Sequence, residues 1–206
     1  MPKKLFYQLD MDKRNRIIKA GLSEFAQYGY NEASTNRIVK KASISKGSLF
    51  KYFANKEDLY FYILDYVIDD LVKNLKGELS KPEGDIFEII LIYAEAEFNW
   101  YIENIDNYNL LKRAFSDDSS NIYKKTIERY KLIKELFCYK LLEDSKTQVL
   151  KWENEKVLNV LKWVLEGLNA KFIKESGQYS NINDIKDCYL EELKKYIEML
   201  KKGLYE

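Results

Sequence analysis

The chain has 206 residues, is 46% hydrophobic and 33% charged, and carries a formal net charge of +1, so it can bury the core of one large or two small domains. Histidine is absent, which removes the commonest general base and metal ligand and with them His-based triads and ordinary zinc sites. The opening MPKKLFYQLD is no secretory signal, and no apolar run reaches the roughly eighteen residues a membrane span needs; the expectation is a cytoplasmic protein with no membrane partner. With eight Gly and two Pro, little interrupts the helical patterning, and an all-α fold is expected.

An amphipathic helix opens the chain and ends at Phe25-Ala26-Gln27-Tyr28-Gly29-Tyr30. Beyond it Ile38, Val39 and Ala42 fall within one turn, and Leu49 and Phe53 stand four apart, so two short helices each have one buried stripe. Ala42-Ser43-Ile44-Ser45 joins them, with Ile44 expected to tuck inward, Ser45 to cap the second helix, and Ser34 or Thr35 to cap the first. This is the helix-turn-helix layout. With Leu49 and Phe53 facing in, Ser45, Lys46, Gly47, Ser48, Phe50, Lys51 and Tyr52 are left outside. Gly47 and Ser48 permit close approach to base edges, Lys46 and Lys51 supply phosphate or guanine contacts, and Tyr52 offers an aromatic edge with a hydroxyl. Lys56 follows Asn55, an expected N-cap, and stands where its ammonium and the next helix's first N–H groups can share a phosphate.

Further helices are expected over residues 56–76, with Leu59, Ile63, Tyr66 and Val67 on the inner face, and over 85–104, 107–115, 119–142, 146–175 and 183–202. That makes about nine in all. Residues 78–84, with Pro82 and Gly84, form the clearest break, and residues 176–181 separate the last two helices. Charge is sorted along this layout. Residues 1–56 hold twelve Lys and Arg against four Asp and Glu, whereas the remainder holds 22 against 29. A basic head on an acidic body favours a polyanion at one end.

Residues 13–60 resemble the DNA-binding domain of the tetracycline-repressor (TetR) family of bacterial one-component regulators. Ser34-Thr35 before Ile38-Val39, then Ser45-Lys46-Gly47-Ser48-Leu49-Phe50-Lys51-Tyr52-Phe53 and Asn55-Lys56-Glu57-Asp58-Leu59, carry the resemblance. It implies that Thr35 holds a phosphate, that Ser45, Lys46, Gly47 and Ser48 form the leading turn of the recognition helix, that Lys51 and Tyr52 form its middle, and that Lys56 clamps the DNA backbone. Two positions depart from the family pattern. Phe50 stands where Tyr is usual, which loses a phosphate hydrogen bond, and Ser43 stands where Gly is frequent, where a left-handed conformation is mildly strained.

The resemblance further implies a head at residues 1–56 and an effector-binding and dimerisation body at 57–206. A homodimer would form through the last two helices and read a palindromic operator, and the regulator, a repressor, would be released by a small lipophilic or aromatic effector. Val157, Leu161, Val164, Leu165, Leu168 and Phe172, with Leu190, Leu193, Ile197 and Leu200, form stripes that suit either that interface or the monomer's own core. Phe98, Trp100, Tyr101 and Phe115 are the candidate effector contacts, with Glu95 and Glu97 as a countercharge to a cation or as plain solvent-facing acids. The alternative is a helical regulator or adaptor controlled by a protein partner with no small-molecule effector. No catalytic residue, cofactor or metal is expected. Ser43-Ile44-Ser45-Lys46 spells S-x-x-K without its partner motifs, and phosphate-loop, dinucleotide and nucleophile-elbow motifs are missing. Cys138 and Cys188 have no ligand spacing and are expected to be partly buried thiols.

Overall fold

The structure, a computed structural model, describes residues 1–78, 85–119, 121–131 and 154–205. Among these the secondary structure is helical, with no strand. In chain order the helices are α1 (Lys4–Tyr7), α2 (Met11–Glu32), α3 (Thr35–Lys41), α4 (Lys46–Tyr52), α5 (Lys56–Glu78), α6 (Ile86–Glu103) and α7 (Ile105–Ser116). They are followed by α8, described over 123–131, then α9 (Asn154–Glu175), a 3-10 turn (Ser176–Gln178) and α10 (Ile182–Tyr205). Residues 79–84 of the expected break, 132–142 and 146–153 of two expected helices, and Cys138 lie outside the described residues.

The chain packs as two compact units. One comprises Met1–Val72 with Asn104–Thr126, the other Lys73–Glu103 with Ile127–Glu206. In the first, Asp10 caps α2 by accepting from the Lys13 N–H at 2.7 Å. Ile17, Ile18, Phe25 and Ala26 of α2, Ile38 and Val39 of α3, Leu49 of α4, and Leu59, Ile63, Leu64 and Val67 of α5 are buried in this unit; α2 packs on α3 and α3 on α4, and the Phe25 ring meets Tyr60 of α5 edge-on at 5.1 Å. Near its end α2 kinks at Gly29, whose φ of 69° and ψ of 179° suit glycine and almost nothing else. There Arg113 of α7 donates Nε to the Ala26 carbonyl at 2.9 Å and Nη2 to the Gln27 carbonyl at 3.0 Å.

In the second unit α6 is buried through Phe87, Ile89, Ile90, Tyr93, Phe98 and Trp100. It packs against α10, which also packs against α9. Of the two readings open for the α9 and α10 stripes, the unit's own core takes most positions: Val157, Leu161, Leu168, Phe172, Leu193 and Ile197 are each at most 4% exposed. Val164, Leu165, Leu190 and Leu200 are half-buried. Periodicity shows that a face is covered, not by what. Among the described residues of these helices, Trp163 (67% exposed), Met199 (68%) and Tyr196 (37%) are large apolar side chains left outside. Two smaller expectations fail. Tyr66 is exposed, because α5 turns Tyr60 and Leu64 inward instead, and the Cys188 thiol is exposed rather than partly buried.

Candidate nucleic-acid interface

The turn between α3 and α4 follows from backbone chemistry. Ser43 adopts a left-handed φ of 55°, Ile44 N–H donates to the Val39 carbonyl at 3.0 Å and Ser43 N–H to the Lys40 carbonyl at 3.2 Å. These two bonds form a Schellman closure with a serine in the place glycine prefers. Ile44 is half-buried beneath it. Ser45 then starts α4 as its N-cap, its Oγ accepting from the Ser48 N–H at 3.0 Å and lying 2.9 Å from the Ser48 Oγ. Asn55 starts α5 in the same way, accepting from the Asp58 N–H at 2.8 Å. At α3 the cap differs. Ser34 occupies the position but makes no side-chain cap bond; its N–H donates at 2.7 Å to Glu24, which also accepts from Arg37 Nε at 2.8 Å. The nearly buried Glu24 carboxylate thereby pins the α2–α3 junction, and its hydrogen bond holds the Arg37 guanidinium above its ordinary value. Sequence reasoning overlooked Glu24, whose one signal was an acid on an otherwise apolar face.

Lys46, Gly47 and Lys51 are exposed and Ser45 with them, while Ser48, Phe50 and Thr35 are half-buried. Among the described residues no carboxylate pairs with Lys46 or Lys51. A Cβ built at Gly47 would meet nothing closer than the Ser45 Oγ at 3.9 Å, so packing within the chain does not require glycine there. Close approach by an outside molecule would.

Tyr52 does not join this face. It is 5% exposed, because α1, which the sequence reading did not foresee, lies against the end of α4. The Phe6 and Tyr52 ring centroids are 6.1 Å apart, and Lys13 Nζ sits 6.0 Å above the Tyr52 ring. One residue of the same segment closes α4: Lys3 donates its N–H to the Tyr52 carbonyl at 2.8 Å and its Nζ to the Phe50 carbonyl at 2.9 Å. Lys56 is also placed differently from expectation. Its Nζ donates to the Asn31 and Ala33 carbonyls, both at 3.1 Å, and lies 4.7 Å from the Tyr30 ring. The negative end of α2 has captured this ammonium, and burial pulls it below the ordinary lysine value. Two of its three donors are thus used inside the chain.

The effector candidates fall in both units. Phe98, Trp100 and Tyr101 come together on α6, with the Phe98–Tyr101 rings 6.0 Å and the Trp100–Tyr101 rings 5.6 Å apart. Phe115 lies on α7 in the other unit. A cleft in that unit, lined by Phe25, Tyr30, Tyr60, Leu110, Arg113 and Tyr123 among others, has about 10 Å³ of space for water-sized guests. That holds roughly one water and no effector.

Residues 17–63 match the model of a family described as bacterial regulatory proteins, tetR family. The uncharacterised helix-turn-helix regulator YuxN of Bacillus subtilis is 43% identical over 74 residues, 34% of this chain and 25% of YuxN. The chain spans between a quarter and a half of the length of the curated relatives it matches. A TetR-family regulator structure from Chloroflexus aurantiacus superimposes with a TM-score of 0.61 at 24% identity, covering 99% of this chain and 98% of that one. FadR of Bacillus subtilis, in complex with stearoyl-CoA, gives a TM-score of 0.64 at 15% identity over 87% and 96%.

Proposed function

We infer that the chain, whose residues 17–63 match the tetR family of bacterial regulatory proteins, is a homodimeric transcriptional repressor that releases a palindromic operator when a small lipophilic molecule binds its body. DNA recognition falls to residues 1–56, and effector binding and dimerisation to 57–206. The observation that carries this reading is the outer face of α4, where Lys46, Gly47 and Lys51 stand exposed beside Ser48 with no carboxylate partner for either lysine among the described residues. The sequence-reading role of α4 thus rests on Ser45, Lys46, Gly47, Ser48 and Lys51, with Thr35 on a phosphate at the start of α3 and Phe50 as an apolar contact. Tyr52 drops out as a base contact, and Lys56 contributes at most its third donor.

The test is an electrophoretic mobility shift with the DNA upstream of the chain's own gene, repeated across salt. Lys46→Ala and Lys51→Ala are each expected to weaken binding and to lower the slope of log affinity against log salt by about 1. An unchanged slope in both would take these lysines off the backbone.

A two-fold pair is needed because one helix-turn-helix reads too little sequence, whereas two read half-sites one helical turn apart. The exposed Trp163, Tyr196 and Met199 supply an apolar face for that pairing on α9 and α10. Trp163→Glu is expected to yield monomers in sedimentation velocity and to weaken operator binding at least about tenfold, because a charge placed in an apolar contact loses its hydration. A dimer that survives the substitution would move the interface elsewhere. That FadR, which shares the fold, was crystallised with stearoyl-CoA supports a small-molecule effector for the body.

A further inference from the structure

A helix as short as α4 has both ends within reach of whatever it lies on. Its seven residues make a rod of about 10 Å, close to the roughly 12 Å width of the major groove, so a duplex that receives α4 brings a phosphate strand near each end. The leading end suits this, because Lys46 is exposed there. The trailing end does not, because the last carbonyls of a helix carry its negative partial charge and repel phosphate.

α1 covers that trailing end with a cation. The Lys3 N–H donates to the Tyr52 carbonyl at 2.8 Å and the Lys3 Nζ to the Phe50 carbonyl at 2.9 Å, while the Phe53 N–H donates to the Leu49 carbonyl at 2.9 Å. Lys3 is exposed, and so are Lys4, which follows it, and Lys51, which stands between the two residues whose carbonyls Lys3 serves. Among the described residues none of these three pairs with a carboxylate. Asp58 is held by the Met1 amine at 2.6 Å, two residues before Lys3.

One carbonyl occupies one of the three donors of an ammonium. The other two stay open to solvent, on a flexible four-carbon stem that lets them turn. Lys56 is the contrast, half-buried with two donors already used on α2. An exposed hydrogen bond such as that of Lys3 to Phe50 adds little to stability, because water competes for both partners. We propose that Lys3 is a ligand for a phosphate of the DNA backbone: docked on the last turn of α4, it makes the repelling end of that helix cationic and binds the strand opposite the one that Lys46 approaches. This rests on α4 being the element that enters the duplex.

The experiment titrates the full chain with labelled DNA from upstream of its own gene, and with a scrambled duplex, across salt. Lys3→Gln keeps a side-chain donor for the Phe50 carbonyl and removes the charge. It should lower the slope of log affinity against log salt by about 0.9 and weaken binding to both duplexes alike, by roughly eightfold at 0.1 M salt, the effect of one released counterion. Lys3→Arg should keep the slope. Lys19→Gln, an equal loss of charge from an exposed position on α2, should leave it unchanged. An unchanged slope in Lys3→Gln, an equal fall in Lys19→Gln, or a Lys3→Arg that loses as much as Lys3→Gln overturns the proposal and leaves Lys3 a cap. If Lys3→Gln fails to fold, acetylation of the unaltered chain decides: DNA should protect Lys3 and not Lys19, and equal labelling of Lys3 with and without DNA overturns the contact. The two readings fail separately. A slope that falls in Lys46→Ala and ignores Lys3→Gln defeats this contact alone, whereas no DNA binding by the unaltered chain defeats the regulator and this contact with it.

Discussion

Replacing Phe6 by Ala is expected to cost about 3 to 5 kcal/mol of stability, the range for emptying a buried aromatic site. Phe6 is fully buried, with its ring 4.9 Å from Phe53 and 5.1 Å from Tyr62. Because α1 is only four residues long, its own backbone bonds cannot hold it in place. Phe6 anchors it, and the anchor positions Lys3 over the end of α4. The variant should therefore lose operator affinity beyond what its unfolded fraction explains. Phe6→Leu, which keeps most of the volume, should cost about 1.5 kcal/mol or less and recover binding. Urea unfolding followed by circular dichroism gives the first quantity, and DNA titration at a fixed folded fraction gives the second. A loss under about 1 kcal/mol would show that α1 is an ornament on the head.

Gly29→Val is expected to cost about 3 kcal/mol, since a β-branched residue cannot occupy φ 69° and ψ 179° without strain. Its new side chain would also touch Arg113, whose Cδ lies at van der Waals distance, 3.8 Å, from a Cβ built at position 29. Arg113→Ala should cost about 1 to 2 kcal/mol by leaving the Ala26 and Gln27 carbonyls to water. The two sites touch, so the double variant should be less unstable than the sum by about 0.5 kcal/mol or more. Thermal and urea melts of the three variants measure this cycle. Strict additivity would mean that the kink and the arginine are independent.

What could be read from the sequence was what local chemistry decides. The stripes of Ile38, Val39, Leu49 and Phe53, the Ser45 and Asn55 caps and the left-handed Ser43 all depend on neighbours within a few residues, and all stand as expected. The failures are nonlocal. Tyr52, three residues after Leu49, shares the inner side of α4, and α1 returns from some fifty positions earlier to complete its cover. Lys56 belongs to the start of α5, yet the carbonyls it serves end α2. Phe115 stands near Phe98 to Tyr101 in sequence, yet α7 carries it into the unit that holds the head. The apolar faces of α9 and α10 were legible as faces, with core or interface both open; the interior takes most of them, and Trp163, Tyr196 and Met199 stay outside.

Lys3 and Ser45 between them have a kinetic consequence for the seven residues of α4. A free peptide of that length would spend nearly all its time unwound, and any encounter with a duplex would have to wait for it to coil. Held at both termini, it is presented already wound, and the ordering entropy is met during folding rather than at docking. Association should therefore run near the rate set by diffusion and charge steering, with a heat-capacity change no larger than the surface covered demands.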